Sequence, residues 1–176
     1  MKYTICLTIF LVSTTVLFAQ DLNNVSYDDK VQSIDSSIKT LYSIISGEKD
    51  QDRNWDLFKY LFQDDAEITL IIKNTENQQV KHYLTVDEYI NSYGKWLVSN
   101  GFFAKEVDRI ISTFQHLNHV SSTYEYNNFD DNGSFTGVNS INLLKENNRW
   151  YISNLKWNQE FNDLKIIKEY LPISEN

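Results

Sequence analysis

Between residues 102 and 157 the chain carries four long runs rich in aromatic and β-branched residues, at 102–114, 119–129, 137–145 and 149–157. Almost nothing but turn residues separates the later ones. Asp130-Asp131-Asn132-Gly133 is a strong turn signal, and Glu146-Asn147-Asn148 is a shorter one. Connections this brief cannot carry a crossover, so neighbouring strands are expected to pair antiparallel. A meander of this length has to bury one face against something else. The preceding half of the chain must supply that layer.

That half reads as helical with one hairpin. From Lys30 onward, Val31, Ile34, Ile38, Leu41, Tyr42 and Ile45 recur at spacings of three and four, which predicts a helix ended by Gly47. After a charged turn at 48–53, Trp55, Phe58, Leu61 and Phe62 predict a second helix of about two turns. Strands are expected at 67–73 and 78–84, with 74–77 as the turn between them. Thr85 and Glu88 form a capping-box pattern for a helix over 86–98, whose aromatic face is Tyr89, Tyr93, Trp96 and Leu97. The fold class is therefore α+β, three helices packed on one side of a curved, mainly antiparallel sheet.

Residues 1–19 do not read as part of that fold. Met1-Lys2 is a short basic start, 5–19 is mostly apolar, and Ala19 precedes the polar Gln20-Asp21. This is the pattern of a secretory signal peptide cleaved after Ala19. Thr8, Ser13, Thr14 and Thr15 make the run too short and interrupted for a membrane span, so no stable membrane insertion is expected. Residues 20–29 read as a flexible leader, 30–162 as one domain and 163–176 as a tail containing the only proline, Pro172. Cleavage would take 19 residues and the charge of Lys2 from a chain of 176 at −8, leaving 157 at −9. It would also remove Cys6, the only cysteine, so packing alone would have to hold the exported product together. The expected location is periplasmic or extracellular. An acidic chain without a polybasic patch excludes a nucleic-acid partner on electrostatic grounds.

Period two places His119, Ser121, Thr123 and Glu125 on one face of a strand, with Val120, Ser122, Tyr124 and Tyr126 on the other. In the strand before it, Val107, Arg109, Ile111 and Thr113 oppose Glu106, Asp108, Ile110 and Ser112. In the last strand, Trp150 and Ile152 oppose Tyr151, Leu155 and Trp157 once a slip or bulge is allowed. Apolar side chains on both faces mean that both are covered in part.

His119 is a candidate general base if Asp108, Glu106 or Tyr42 reaches it; Glu125 lies roughly 20 Å along the same strand. The commoner alternative is a histidine that merely bonds within the structure. Arg109 offers a bidentate fork for a carboxylate, and Arg53 is a second candidate at a pocket mouth. The bland alternative is a structural salt bridge with Glu106, Asp108 or Glu125. Tyr42, Trp55, Tyr89, Tyr124 and Trp157 can line a site for an apolar or aromatic ligand, or simply fill the core. Ser122 lies in HVSSTYE without a nucleophile elbow, and Gly133 and Gly137 form no phosphate-cradling loop. His82, His116 and His119 have no metal-ligand spacing, so no metal and no cofactor is expected.

The order of these elements resembles the nuclear-transport-factor-2-like (NTF2-like), SnoaL-like domain family. The resemblance runs from ISGEKD through RNWDLFKYLF and TVDEYINSYGKWL. It is most specific in GFFAKEVDRIISTFQHLNHVSSTYEY and GVNSINLLKENNRWYISNLKWNQE. It implies a cone in which a bent sheet wraps a cavity roofed by helices, and homodimers packed through the sheet. Ligand binding in the cone is one use the family makes of it, and the residues read above, Tyr42, Arg53, Trp55, Tyr89, Arg109, His119, Tyr124 and Trp157, are the expected lining. Family enzymes are cofactor-independent isomerases and dehydratases, and an enzyme here would draw on His119, Tyr124, Glu125 and Asp108. Other members are non-catalytic association modules. The leading expectation is an exported protein that binds a small, partly apolar or aromatic molecule.

Overall fold

A computed structural model describes residues 26–73, 76, 78–128 and 135–159. The expected signal peptide, most of the leader, the turn at 130–133 and the tail at 163–176 lie outside the described residues.

Helix α1 spans Ile34–Ile45 and starts four residues later than the apolar spacing alone suggests. Ser33 sets that start: its hydroxyl accepts from the Ser36 amide, and the Ser36 side chain accepts from the Ser33 amide in return. The stretch before it forms a single 3₁₀ turn, Asp28–Lys30. Tyr27 packs edge-on against Tyr60 at 5.5 Å, and the Tyr60 hydroxyl donates to Asp28 at 2.8 Å, so this end of the leader is tied down.

Helix α2, Trp55–Tyr60, is capped by the Asn54 side chain, which accepts from the Leu57 amide. It is shorter than expected, because Phe62 already belongs to strand β1, Phe62–Lys73. Strand β2, Gln79–Thr85, returns antiparallel to it. The Thr85–Glu88 capping box then opens α3, Val86–Tyr89, as expected. The helix does not run on unbroken. A π-helical segment, Ile90–Gly94, joins α3 to α4, Lys95–Asn100. Here the Ser92 hydroxyl donates to the Glu88 carbonyl at 2.6 Å, the acceptor that an α-helical amide at 92 would use. Gly94 meanwhile lets the backbone approach Trp55, whose ring would stand 3.1 Å from an added Cβ.

Four long strands follow: β3 Phe102–Phe114, β4 Leu117–Asn128, β5 Phe135–Glu146 and β6 Arg149–Gln159. All three successive pairs are antiparallel. The Asn147-Asn148 turn has positive φ at both residues, 48° and 64°, the geometry of a two-residue hairpin loop. The sheet order is β2-β1-β6-β5-β4-β3. One contact was not foreseen from connection lengths: β1 lies parallel to β6, with Ile68 opposite Leu155 and Leu70 opposite Trp157. The result is an α+β fold with helices against one face of a curved, open sheet.

The core lies between the helices and that face. Ile38 and Leu41 of α1, Phe58 of α2, Tyr89 of α3 and Val120, Tyr124, Ile141 and Ile152 of the sheet are all buried. Phe58 stacks on Tyr89 at 5.3 Å, and Tyr89 on Tyr93 at 6.2 Å. Among the described residues no helix is long and apolar enough to cross a membrane.

Candidate functional site

A β-bulge builds the site. In the β3–β4 ladder Glu106 is opposite Tyr124, but the next pairs are Asp108 with Thr123 and Arg109 with Ser122, leaving Val107 as the extra residue. Strict alternation would put Glu106 and Arg109 on opposite faces. The inserted residue brings both to the helix side, and their side chains form an ion pair. A second slip, between Asn142 and Leu143 of β5, sets Ile152 with Leu155 and Trp157 on that same face, so the sequence grouping of Ile152 with Trp150 against them does not hold.

Glu106 ends a row of hydrogen bonds that starts inside the core. The Asn139 amide donates to the Tyr42 hydroxyl at 3.0 Å, and the Ser122 hydroxyl donates to Glu106 Oε1 at 2.6 Å. Between them Tyr42 and Ser122 are 2.8 Å apart. Since the Ser122 hydrogen is committed to the carboxylate, Tyr42 donates to Ser122. The row therefore runs in one direction toward a carboxylate that Arg109 neutralises, an arrangement in which each bond polarises the next. Arg109 also lies 3.5 Å from Asp35 at the start of α1. Burial, reinforced by the Glu106 charge, pushes the Tyr42 hydroxyl well above the ordinary tyrosine range, although its bonds to Ser122 and Asn139 pull the other way. Tyr42 is a neutral donor at physiological pH.

Tyr42 and Glu106 both face a cleft of about 510 Å³ between α1 and the β3–β4 edge. Lys39 and Ser43 line it from α1; Phe103, Lys105 and Glu125 line it from the strands. The interior of the cone is different. The space bounded by Phe58, Tyr89, Tyr124, Asn139 and Trp157 is about 10 Å³, room for roughly one water. Aromatic rings have filled it, and the Trp157 indole N–H donates to the Tyr124 hydroxyl. The buried Asn139 Oδ1 has no protein partner there.

The sequence candidates are divided among separate places. Tyr42 and Arg109 belong to the polar row. Tyr89, Tyr124 and Trp157 are interior walls, and Tyr124 is pushed far above the usual phenol range chiefly by burial. Glu125 is exposed at the cleft. Trp55 packs edge-on against Phe58 at 5.7 Å, away from the cleft. Arg53 does not line the cleft; its guanidinium donates to the carbonyls of Gln51, Gly47 and Glu48 and so knits the loop after α1. His119 and Asp108 lie on the sheet face turned away from the helices. The partner of His119 is the Ser140 hydroxyl at 2.9 Å, not a carboxylate. Ser122 and Asn139 were missed as site residues. Ser122 was legible as a polar residue sharing a face with Tyr124; Asn139 had no such signal. Among the described residues no cluster of three His, Cys, Asp or Glu is placed to hold a metal ion.

No protein-family model and no curated protein matches the chain. Solved structures do. An NTF2-like protein from Pseudomonas putida superposes with a TM-score of 0.55 at 12% identity, over 73% of this chain and 85% of the other. An NTF2-like protein from Cytophaga hutchinsonii gives 0.52 at 14%, over 70% and 92%. A protein from Caulobacter vibrioides with a cystatin-like fold gives 0.53 at 11%, over 74% and 89%. The fold is thus NTF2-like, as the order of sequence elements implied.

Proposed function

We propose that this NTF2-like chain binds a small, partly apolar molecule in the cleft between α1 and the β3–β4 edge, and not in the interior of the cone. One observation carries the reading: a cleft of about 510 Å³ whose floor ends in the buried row Tyr42–Ser122–Glu106–Arg109. Such a floor offers fixed polar anchors, while Phe103 and Ala104 supply apolar wall, the usual division of labour in a ligand site. Mass spectrometry of small molecules retained through gentle purification is the test. A retained species should disappear in Ser43→Trp, which fills the cleft from an exposed position of α1. Equal retention by both proteins would move the ligand elsewhere, and no binding by either in a calorimetric screen would overturn the reading.

The filled interior supports a second reading, a non-catalytic module whose sheet mediates association. The two are compatible, and we take the chain to pair with a second copy through its sheet. Export follows from the N-terminal pattern: residues 1–19 are proposed to be a signal peptide, so N-terminal sequencing of the exported product should begin at Gln20. A start at Met1 would refute cleavage.

A further inference from the structure

We propose that two copies pair edge to edge along residues 110–114 of β3, antiparallel and two-fold symmetric about Ser112, joining two six-stranded sheets into one. This rests on the pairing of copies proposed above and names the surface that does it. It is independent of the cleft.

The two edges of the sheet are β2 and β3. Strand β2 is short, seven residues, and carries Lys81 and His82, a common way of blocking unwanted pairing. The first part of β3 is occupied. Gly47 exchanges two backbone bonds with Phe102, Ser46 bonds Ala104, and Arg109 reaches Asp35. Beyond Arg109 the protection stops. Among the described residues, 110–114 make no backbone bonds outside the β4 ladder, so the outward N–H and C=O groups of this edge have no protein partner. Charge and proline, two of the devices that block an edge, are missing here. Residues 110–118 include no Asp, Glu, Lys, Arg or Pro in a chain of net charge −8, so a second copy meets no like charge at this edge itself. Ile110, Ile111, Phe114 and the nearby Leu117 are 40, 44, 71 and 57% exposed, an apolar strip beside an open ladder.

The register follows from where the free stretch begins and ends. Arg109 is held by α1 on one side, and Gln115 turns the chain with φ 54° on the other. Ser112 is the centre. An antiparallel two-fold axis there pairs Ile110 with Phe114, Ile111 with Thr113, and Ser112 with itself. Period two keeps Ile110, Ser112 and Phe114 on one face, so each copy gains two aromatic–β-branched cross-strand contacts, a favourable pairing. Shifting the axis by one residue toward the N-terminus would set Phe114 against Asp108 instead. Just beyond the paired stretch, Asp108 of one copy approaches His116 of the other, so no like charges meet at the ends.

The test separates edge pairing from face packing and from no pairing. Sedimentation equilibrium of the processed chain at micromolar concentration should show dimer. Ile110→Lys combined with Phe114→Lys sets lysines opposite each other in this register and should weaken association by about tenfold or more, with circular dichroism unchanged. Mixing that variant with Ile110→Glu/Phe114→Glu should restore a heterodimer. In a Cys6→Ser background, Ser112→Cys should oxidise to a disulfide-linked dimer, since directly opposed Cα atoms of an antiparallel pair fall within disulfide reach. Asn142→Cys, exposed on the outer face of β5, should not. A monomeric native chain would overturn pairing altogether. A dimer that survives the double lysine variant, or cross-links through Asn142→Cys and not Ser112→Cys, would overturn the edge and leave the face.

Discussion

At the scale of single residues, hydrogen-bond direction and close packing decide most. Ser122 is fully buried and is the one link between the Tyr42 hydroxyl and the Glu106 carboxylate. Ser122→Ala removes an acceptor from Tyr42 and a donor from Glu106 together. We expect a loss of about 1–3 kcal/mol in urea unfolding, because buried polar groups are left unmatched. Tyr42→Phe should cost less at Glu106, which keeps its Ser122 donor. Gly137 shows how tightly the rings are fitted: an added Cβ would stand 2.5 Å from the Tyr124 ring, itself fixed by the Trp157 indole. Gly137→Ala should destabilise by about 1–3 kcal/mol, seen as a lower Tm, since neither ring has free space to move into.

Elements show what was legible and what was not. The four strands, the Asn147-Asn148 turn and the Thr85–Glu88 cap were readable because apolar alternation, Asn-rich turns and capping are local properties. Fold class followed from their order. A bulge is not local in that sense. No residue in the run KEVDRII announces that Val107 is extra; only the β4 register reveals it. Alternation counted through it set Glu106 and Arg109 on opposite faces, although a salt bridge to Glu106, Asp108 or Glu125 was the structural alternative for Arg109, and Glu106 is the partner it has. His119 is a different case, bonded to Ser140 as the structural alternative would have it. Its face was assigned correctly relative to Tyr124, but which face the helices cover depends on tertiary packing. Deleting Val107 tests the bulge as an element. It should unfold or severely destabilise the domain, far beyond the roughly 1 kcal/mol expected of a typical substitution such as Val107→Ala, when the two are compared by denaturant midpoint.

For the whole molecule, the aromatic load is absorbed mainly by the core, and this has a consequence for pH. Tyr42, Tyr89 and Tyr124 are all raised from the ordinary value of 10.0, with burial as the largest cause. In the unfolded chain they lose their protons near pH 10, while the folded chain retains them. The folded state then binds more protons, so stability is full below about pH 10 and falls as pH rises further. In phenolate absorbance the exposed tyrosines, such as Tyr83, should ionise first, and the three buried ones only in a cooperative alkaline step as the fold is lost; ionisation of all eleven before unfolding would contradict the packed interior. The parallel contact of β1 with β6 bears on time. Glu67 and Asn154 meet across 87 residues, so during synthesis β1 can pair with no strand but β2 until the final described strand has emerged. A chain arranged this way leaves its β1–β2 hairpin outside the main sheet until β6 has been made.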